Sequence, residues 1–251
     1  MQAFITLYSK ELKRFLRIWT QTLLPPIINQ TLYLTIFGSI IGSKIGEIAG
    51  VSYIQFILPG LLMMSVVMGT YSNVVSSFFG SKFQRSVEEL LVAPVSNFTI
   101  LQGYCLGGIS RGIIAGVLVL LTSLVFSSFQ IHSIALVLIY TFLSSYVFAQ
   151  AGFLNGLFAK KFDDVSIFPT FILNPLIFFG GVFYDISTLP SHLKIISQLN
   201  PITYMIEGYR YSFLGIQGQQ TTKTILVLAL FAIGLTWINM HYLNKGKGLK
   251  S

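Results

Sequence analysis

The chain has 251 residues, 53% of them hydrophobic and only 10% charged. A soluble domain carries about a quarter charged residues because its surface faces water, so the composition excludes a water-facing exterior and points to lipid as the solvent. The formal net charge of +8, from 16 Lys and Arg against 8 Asp and Glu, does not indicate a nucleic-acid binder, because the cations sit between apolar blocks and form no stripe with interleaved aromatics.

Residues 4–19 predict an amphipathic helix. At about 100° per residue, Phe4, Ile5, Tyr8, Leu12, Phe15, Leu16 and Trp19 share one face, and Lys10, Lys13, Arg14 and Arg17 share the other. Leu7, Glu11 and Ile18 fall on the flank between them. Such a helix lies in the membrane interface with its basic side toward anionic headgroups. It serves either as an orientation anchor or as a helix that also touches a cytoplasmic partner, and both readings stay open. No basic segment leads into a short apolar core with a small-residue cleavage site, so insertion is expected to rest on the spans themselves.

Six blocks qualify as spans of about 20 mostly apolar residues: 23–41, 53–79, 113–129, 134–158, 167–184 and 224–242. A transmembrane barrel would show short alternating segments instead. Glycines recur at every fourth position, as Gly38, Gly42 and Gly46, as Gly108, Gly112 and Gly116, and as Gly152 and Gly156. That spacing lets helix backbones approach closely in lipid. With the N-terminus cytoplasmic, the cations divide 11 inside to 4 outside, with Arg111 assigned to a helix boundary. The positive-inside rule favours this orientation, and six spans return the C-terminus to the cytoplasm. The single cysteine, Cys105, excludes an internal disulfide.

Two connecting segments are informative. After the second block, Ser86 and Glu89 have capping-box spacing, so a short helix is expected to start at Ser86. Pro94 should stop it, because the residue before proline avoids helical dihedrals. Leu90, Leu91 and Val92 on that helix want a partner surface. Between the last two blocks, the stretch 185–222 is apolar and aromatic but broken by Pro190, Pro201, Gly208 and Gly215. Irregular backbone at membrane depth survives only when buried in protein or lining a cavity. Two short helices dipping into the outer leaflet are therefore expected, at 191–198 and 202–214. Glu207 and Arg210, three residues apart on the second, can pair.

The strings Gly180-Gly181-Val182-Phe183-Tyr184, Leu189-Pro190, Leu199-Asn200-Pro201-Ile202-Thr203-Tyr204 and Glu207-Gly208-Tyr209-Arg210 resemble the ABC-2 family of transporter permeases. Glu88-Glu89-Leu90-Leu91-Val92-Ala93-Pro94 looks like that family's cytoplasmic coupling segment, and the order of elements agrees along the whole chain. The expected fold is thus all-α and polytopic, one transmembrane domain over 1–251. It comprises an interfacial helix at 1–20, six spans, a coupling helix within 82–96 and outer re-entrant helices within 185–222.

The resemblance implies the membrane subunit of an exporter in the bacterial cytoplasmic membrane, working as two permeases with two separate ATPase subunits. Arg85, Ser86, Glu88, Glu89, Leu90, Leu91 and Pro94 would grip the ATPase together with Lys10, Lys13, Arg14 and Arg17. Pro190, Asn200, Pro201, Tyr204, Glu207 and Arg210 would belong to an outer gate. The sequence has no Gly-x-x-x-x-Gly-Lys-Ser/Thr loop, so ATP and magnesium are expected on the partner chain, and this chain is expected to bind no cofactor.

Other classes are weaker. Gly108-Ile109-Ser110-Arg111-Gly112 matches the Gly-x-Ser-x-Gly pattern of hydrolases, but that motif needs a strand–turn–helix setting and here falls in a glycine-spaced helical stretch. An intramembrane protease using Ser110 and His241 is the remote form of this reading. A secondary transporter or channel would place ionisable residues inside its spans, and the six blocks hold almost none. Asp163 and Asp164 beside Lys160 and Lys161 read as a solvated cluster. His132, His192 and His241 have no ligand neighbour at helical spacing, so neither a metal nor a catalytic residue is assigned.

Overall fold

The structure, a computed structural model, describes residues 2–128, 131–216 and 220–248, and at position 91 the backbone alone. Phe129, Lys250, Ser251 and the Leu91 side chain, which the sequence reading invokes, lie outside the described residues.

Among the described residues six helices are long and apolar enough to cross a membrane: Trp19–Ile45, Tyr53–Phe83, Asn97–Ser123, Ile134–Phe158, Phe162–Phe179 and Thr221–Asn244. They are called the first to sixth spans below. The second is the hub. In its most apolar stretch 78% of residues are buried, against 17% in the first span and 11% in the fifth. The first and fifth therefore run along the outside of the bundle. Both leave regular α-helix midway, with π-helical turns at Leu34–Ile41 and Pro169–Leu173.

Small residues set the packing on the hub. A Cβ at Gly112 would lie 2.7 Å from the Val66 carbonyl oxygen, and one at Gly152 would lie 2.8 Å from that of Tyr71. The third and fourth spans thus meet the second backbone to backbone, as close approach in lipid requires. Beside this seam Phe78 packs on Phe153 with ring centroids 4.0 Å apart and edge-on to Tyr104. The sixth span is held to the fourth by an amide contact, Asn239 Nδ2 donating to the Gln150 main-chain and side-chain oxygens at 2.9 and 2.8 Å. Gly46 departs from the packing pattern. It ends the first span at φ +78°, and a Cβ added there would meet nothing within 4 Å, so it serves a turn.

Three expected boundaries shift. The third span starts at Asn97, far before 113, because Ser96 accepts the Thr99 N–H at 3.2 Å and caps the helix. Its glycines lower local hydropathy without breaking it. Arg111 is consequently not at a boundary but midway along this 27-residue helix. The fifth span runs from Phe162 to Phe179 and not over 167–184. Asp164 accepts the Lys160 and Lys161 N–H groups at 2.8 and 3.0 Å to start it, and Gly181 at φ +82° follows its end. The aspartate stays in the solvated cluster with the two lysines and in addition caps the helix start through their main-chain N–H groups.

The two short helices of the outer segment form at Ser191–Leu199 and Pro201–Leu214. The short helix after the second span runs from Ser86 to Val92. Ser86 opens it as expected but does not cap it. Arg85, at φ +60°, holds the cap position, and the Ser86 hydroxyl donates back to the Ser81 carbonyl at 3.1 Å. Ala93, extended before Pro94, ends the helix, as proline dictates.

Candidate functional site: a docking end and a clasped corner

At one end of the bundle, the N-terminal helix Gln2–Arg17 lies against the third span, burying Leu7, Glu11 and Phe15. It draws Leu7 and Glu11 from the flank between the two predicted faces and Phe15 from the apolar face, while Ile18 stays exposed. Its turning force is Glu11, fully buried, whose carboxylate accepts the Ser77 hydroxyl at 2.7 Å and pairs with Arg14 at 3.3 Å. Arg14 in turn donates to the Asn73 main-chain and side-chain oxygens at 3.0 and 2.8 Å. Arg14 is therefore not part of a free basic face; it pins the helix to the second span. Lys10, Lys13 and Arg17 remain exposed, and Ile5, Leu16 and Trp19 keep an apolar edge uncovered.

The helix Ser86–Val92 stands at the same end. Val87 is buried and Leu90 is partly buried against the bundle's second cluster of core residues. Leu90 thus has a place within this chain. Glu88, Glu89 and Pro94 are exposed, and among the described side chains of this helix Val92 is an apolar one left bare, at 88% exposure. Just before this helix, the last turn of the second span holds Lys82, which sequence reasoning counted only as a cytoplasmic charge. Lys82 is buried and donates to the Leu157 and Ala159 carbonyls at 2.7 and 2.6 Å, a cation closing the C-terminal end of the fourth span. Its only sequence signal was a lysine four residues before a capping position.

The other end holds the corner predicted at Asn200-Pro201. Asn200, 2% exposed, donates through Nδ2 to the Leu176 carbonyl of the fifth span at 2.6 Å, while its Oδ1 accepts the Ile202 N–H at 3.0 Å. Pro201 takes the first helical position, where a missing N–H costs nothing. The Tyr204 hydroxyl donates to the Gln198 carbonyl at 2.7 Å, and the Pro190 carbonyl accepts the Lys194 N–H at 3.0 Å. Arg210 stacks 3.8 Å above the Phe56 ring and donates to the Phe56 carbonyl at 3.3 Å and to the Gly181 carbonyl at 2.7 Å. Burial lowers its guanidinium to about 10, and the charges of Glu207 and Asp185 oppose that shift, so it stays cationic at neutral pH. Glu207, one turn earlier, acts on Arg210 through this field, while the guanidinium's own hydrogen bonds go to main chain.

The rival constellation does not assemble. Ser110 bonds to the Tyr8 hydroxyl at 2.9 Å and to the Leu106 carbonyl, whereas His241 packs on Trp237 and Tyr242.

Comparison with known proteins agrees with this architecture. The chain is 51% identical over 249 residues to the inner membrane transport permease YadH of Escherichia coli, covering 99% of this chain and 97% of that protein. It is 23% identical over 194 residues to nodulation protein J of Sinorhizobium fredii, covering 77% and 74% respectively, and 20% identical over 213 residues to that of Rhizobium meliloti. Residues 2–214, which hold the N-terminal helix, the helix Ser86–Val92, five spans and the clasped corner, match the ABC-2 type transporter family, and the chain belongs to that family.

Proposed function

We propose that this chain is the membrane-spanning permease subunit of an ATP-driven exporter, seated in the bacterial cytoplasmic membrane with both termini inside. On this reading a separate ATPase subunit docks on the exposed face of helix Ser86–Val92, and ATP and magnesium belong to that partner. The observation that carries the proposal is that helix. It is fixed to the bundle by Val87 and Leu90, yet it presents Glu88, Glu89 and Val92 outward. A bare valine beside two carboxylates suits a partner groove that is apolar at its centre and basic at its rim. Lys10, Lys13 and Arg17 would extend the same docking end. The poorly buried first and fifth spans support a second permease copy beside this one, and the clasped corner Asn200-Pro201 would form part of an outer gate.

The test is co-purification of the ATPase with a Glu88→Lys, Glu89→Lys variant. Like charge against a basic rim should lower ATPase recovery about tenfold or more at an unchanged membrane level of permease. Undiminished recovery would sink the docking assignment, because a helix merely resting on anionic lipid would gain from added lysines. The mass of the same purified complex checks for two permeases and two ATPases.

A further inference from the structure

Behind the first span lies a cavity of about 280 Å3 bounded by the first, second and third spans. On average water density that is room for roughly nine molecules, more than hydration of one side chain needs. Arg111 of the third span, Gln30 and Asn29 of the first, and Ser65 and Ser72 of the second line it beside Met64. Polar groups gathered between three apolar spans are expensive and by default mark a functional site.

The charge of this cavity is unbalanced. Arg111 Nη2 donates to the Thr22 carbonyl at 3.1 Å. That acceptor is available because Pro26, four residues on, has no N–H to give it. Arg111 Nε, buried, has no partner. Among the described residues no carboxylate lies within ion-pair distance of Arg111, and the nearby Glu11 is already paired with Arg14. Gln30, only 3% exposed, also has its Oε1 buried without a partner, and an amide can turn to offer either end. A planar cation with a spare donor, held by one carbonyl and facing a half-open, mostly apolar groove with Gln30 and Asn29 at hand, is suited to receive an oxyanion that carries an apolar tail. Phosphate is the oxyanion that a bilayer presents in quantity.

We propose that Arg111 and Gln30 form an intramembrane binding site for a phosphate ester, borne either by a membrane phospholipid or by the exported molecule. The site rests on the geometry of this chain alone, and the docking of an ATPase is tested separately.

The experiment measures the thermal unfolding midpoint of the purified permease in neutral detergent, titrated with phosphatidylglycerol, with uncharged dioleoylglycerol, or with soluble glycerol 3-phosphate. A ligand that binds the folded state raises the midpoint. The wild type should respond to phosphatidylglycerol and not to dioleoylglycerol. Arg111→Gln should need about tenfold or more ligand for the same shift, the loss of one charge-assisted contact. A response to phosphatidylglycerol alone identifies the lipid as the source. A response to glycerol 3-phosphate as well shows that the phosphate group suffices and that cargo can supply it. Gln30→Leu leaves the Arg111–Thr22 contact in place and should also weaken the response, so the test survives if Arg111→Gln fails to fold. The absence of a midpoint rise with either phosphate ester, or equal responses from wild type and both variants, overturns the proposal.

Discussion

Glu11 shows how one side chain reorients an element. A helical wheel sums hydrophobicity and puts this carboxylate on a flank; the structure makes it the centre of the buried face, joined to Ser77 and Arg14. A buried carboxylate is tolerable only with a cation and hydrogen bonds around it, and Arg14 one turn later was the visible part of that arrangement. The partners on the second span, Asn73 and Ser77, could not be read from sequence because only the tertiary approach supplies them. Glu11→Ala should therefore lower stability by about 3 kcal/mol or less, the lower end of the range for a broken buried pair, since Arg14 remains 31% exposed and can rehydrate. Thermal unfolding in detergent checks the size of the loss. An unchanged midpoint would show that the N-terminal helix is not pinned through this carboxylate.

At the scale of elements, what sequence conveyed well was punctuation. Pro94 and Ala93 ended the short helix, and Asn200-Pro201 started the last outer helix, because proline and a capping amide act locally. Boundaries failed where local composition misleads. Glycines at 107, 108 and 112 dilute hydropathy in the third span, yet Gly108 and Gly112 seat it on the second span and Gly107 seats the N-terminal helix at Glu11. The same residue type carries two meanings, and substitution separates them. Gly112→Val would drive a side chain into the Val66 carbonyl and Thr70. It should destabilise by about 1–3 kcal/mol or more, read as lost yield of folded protein. Gly46→Ala meets open space and costs only the strain of its φ +78°, ψ −115° backbone, about 1–3 kcal/mol. An undiminished yield of folded Gly112→Val would refute the packing assignment of Gly112.

For the whole molecule, the family, the number of spans and their order were legible from apolar runs and a few motifs, because the membrane imposes length and continuity on every span. The cavity behind the first span was not, since it arises where three distant segments converge, and Arg111 read from sequence as a boundary charge. The proposed orientation has a direct check. In a Cys105→Ser background, an impermeant thiol reagent added from outside should modify a cysteine at Ser191 and spare one at Lys245. The reverse pattern would invert the topology and remove the docking end from the cytoplasm.

Lys82 has a mechanical consequence. Its bonds tie the last turn of the second span to the end of the fourth, and the short helix begins four residues later at Ser86. A push on that helix cannot bend the chain at its root, because the root is riveted. It would arrive as torque on a stiff block formed by the second, third and fourth spans, whose glycine seams leave no slack. Compliance is left to the first and fifth spans, whose π-turns interrupt the regular ladder, so any stroke would be expressed at the rim of the molecule while its centre turns as one piece.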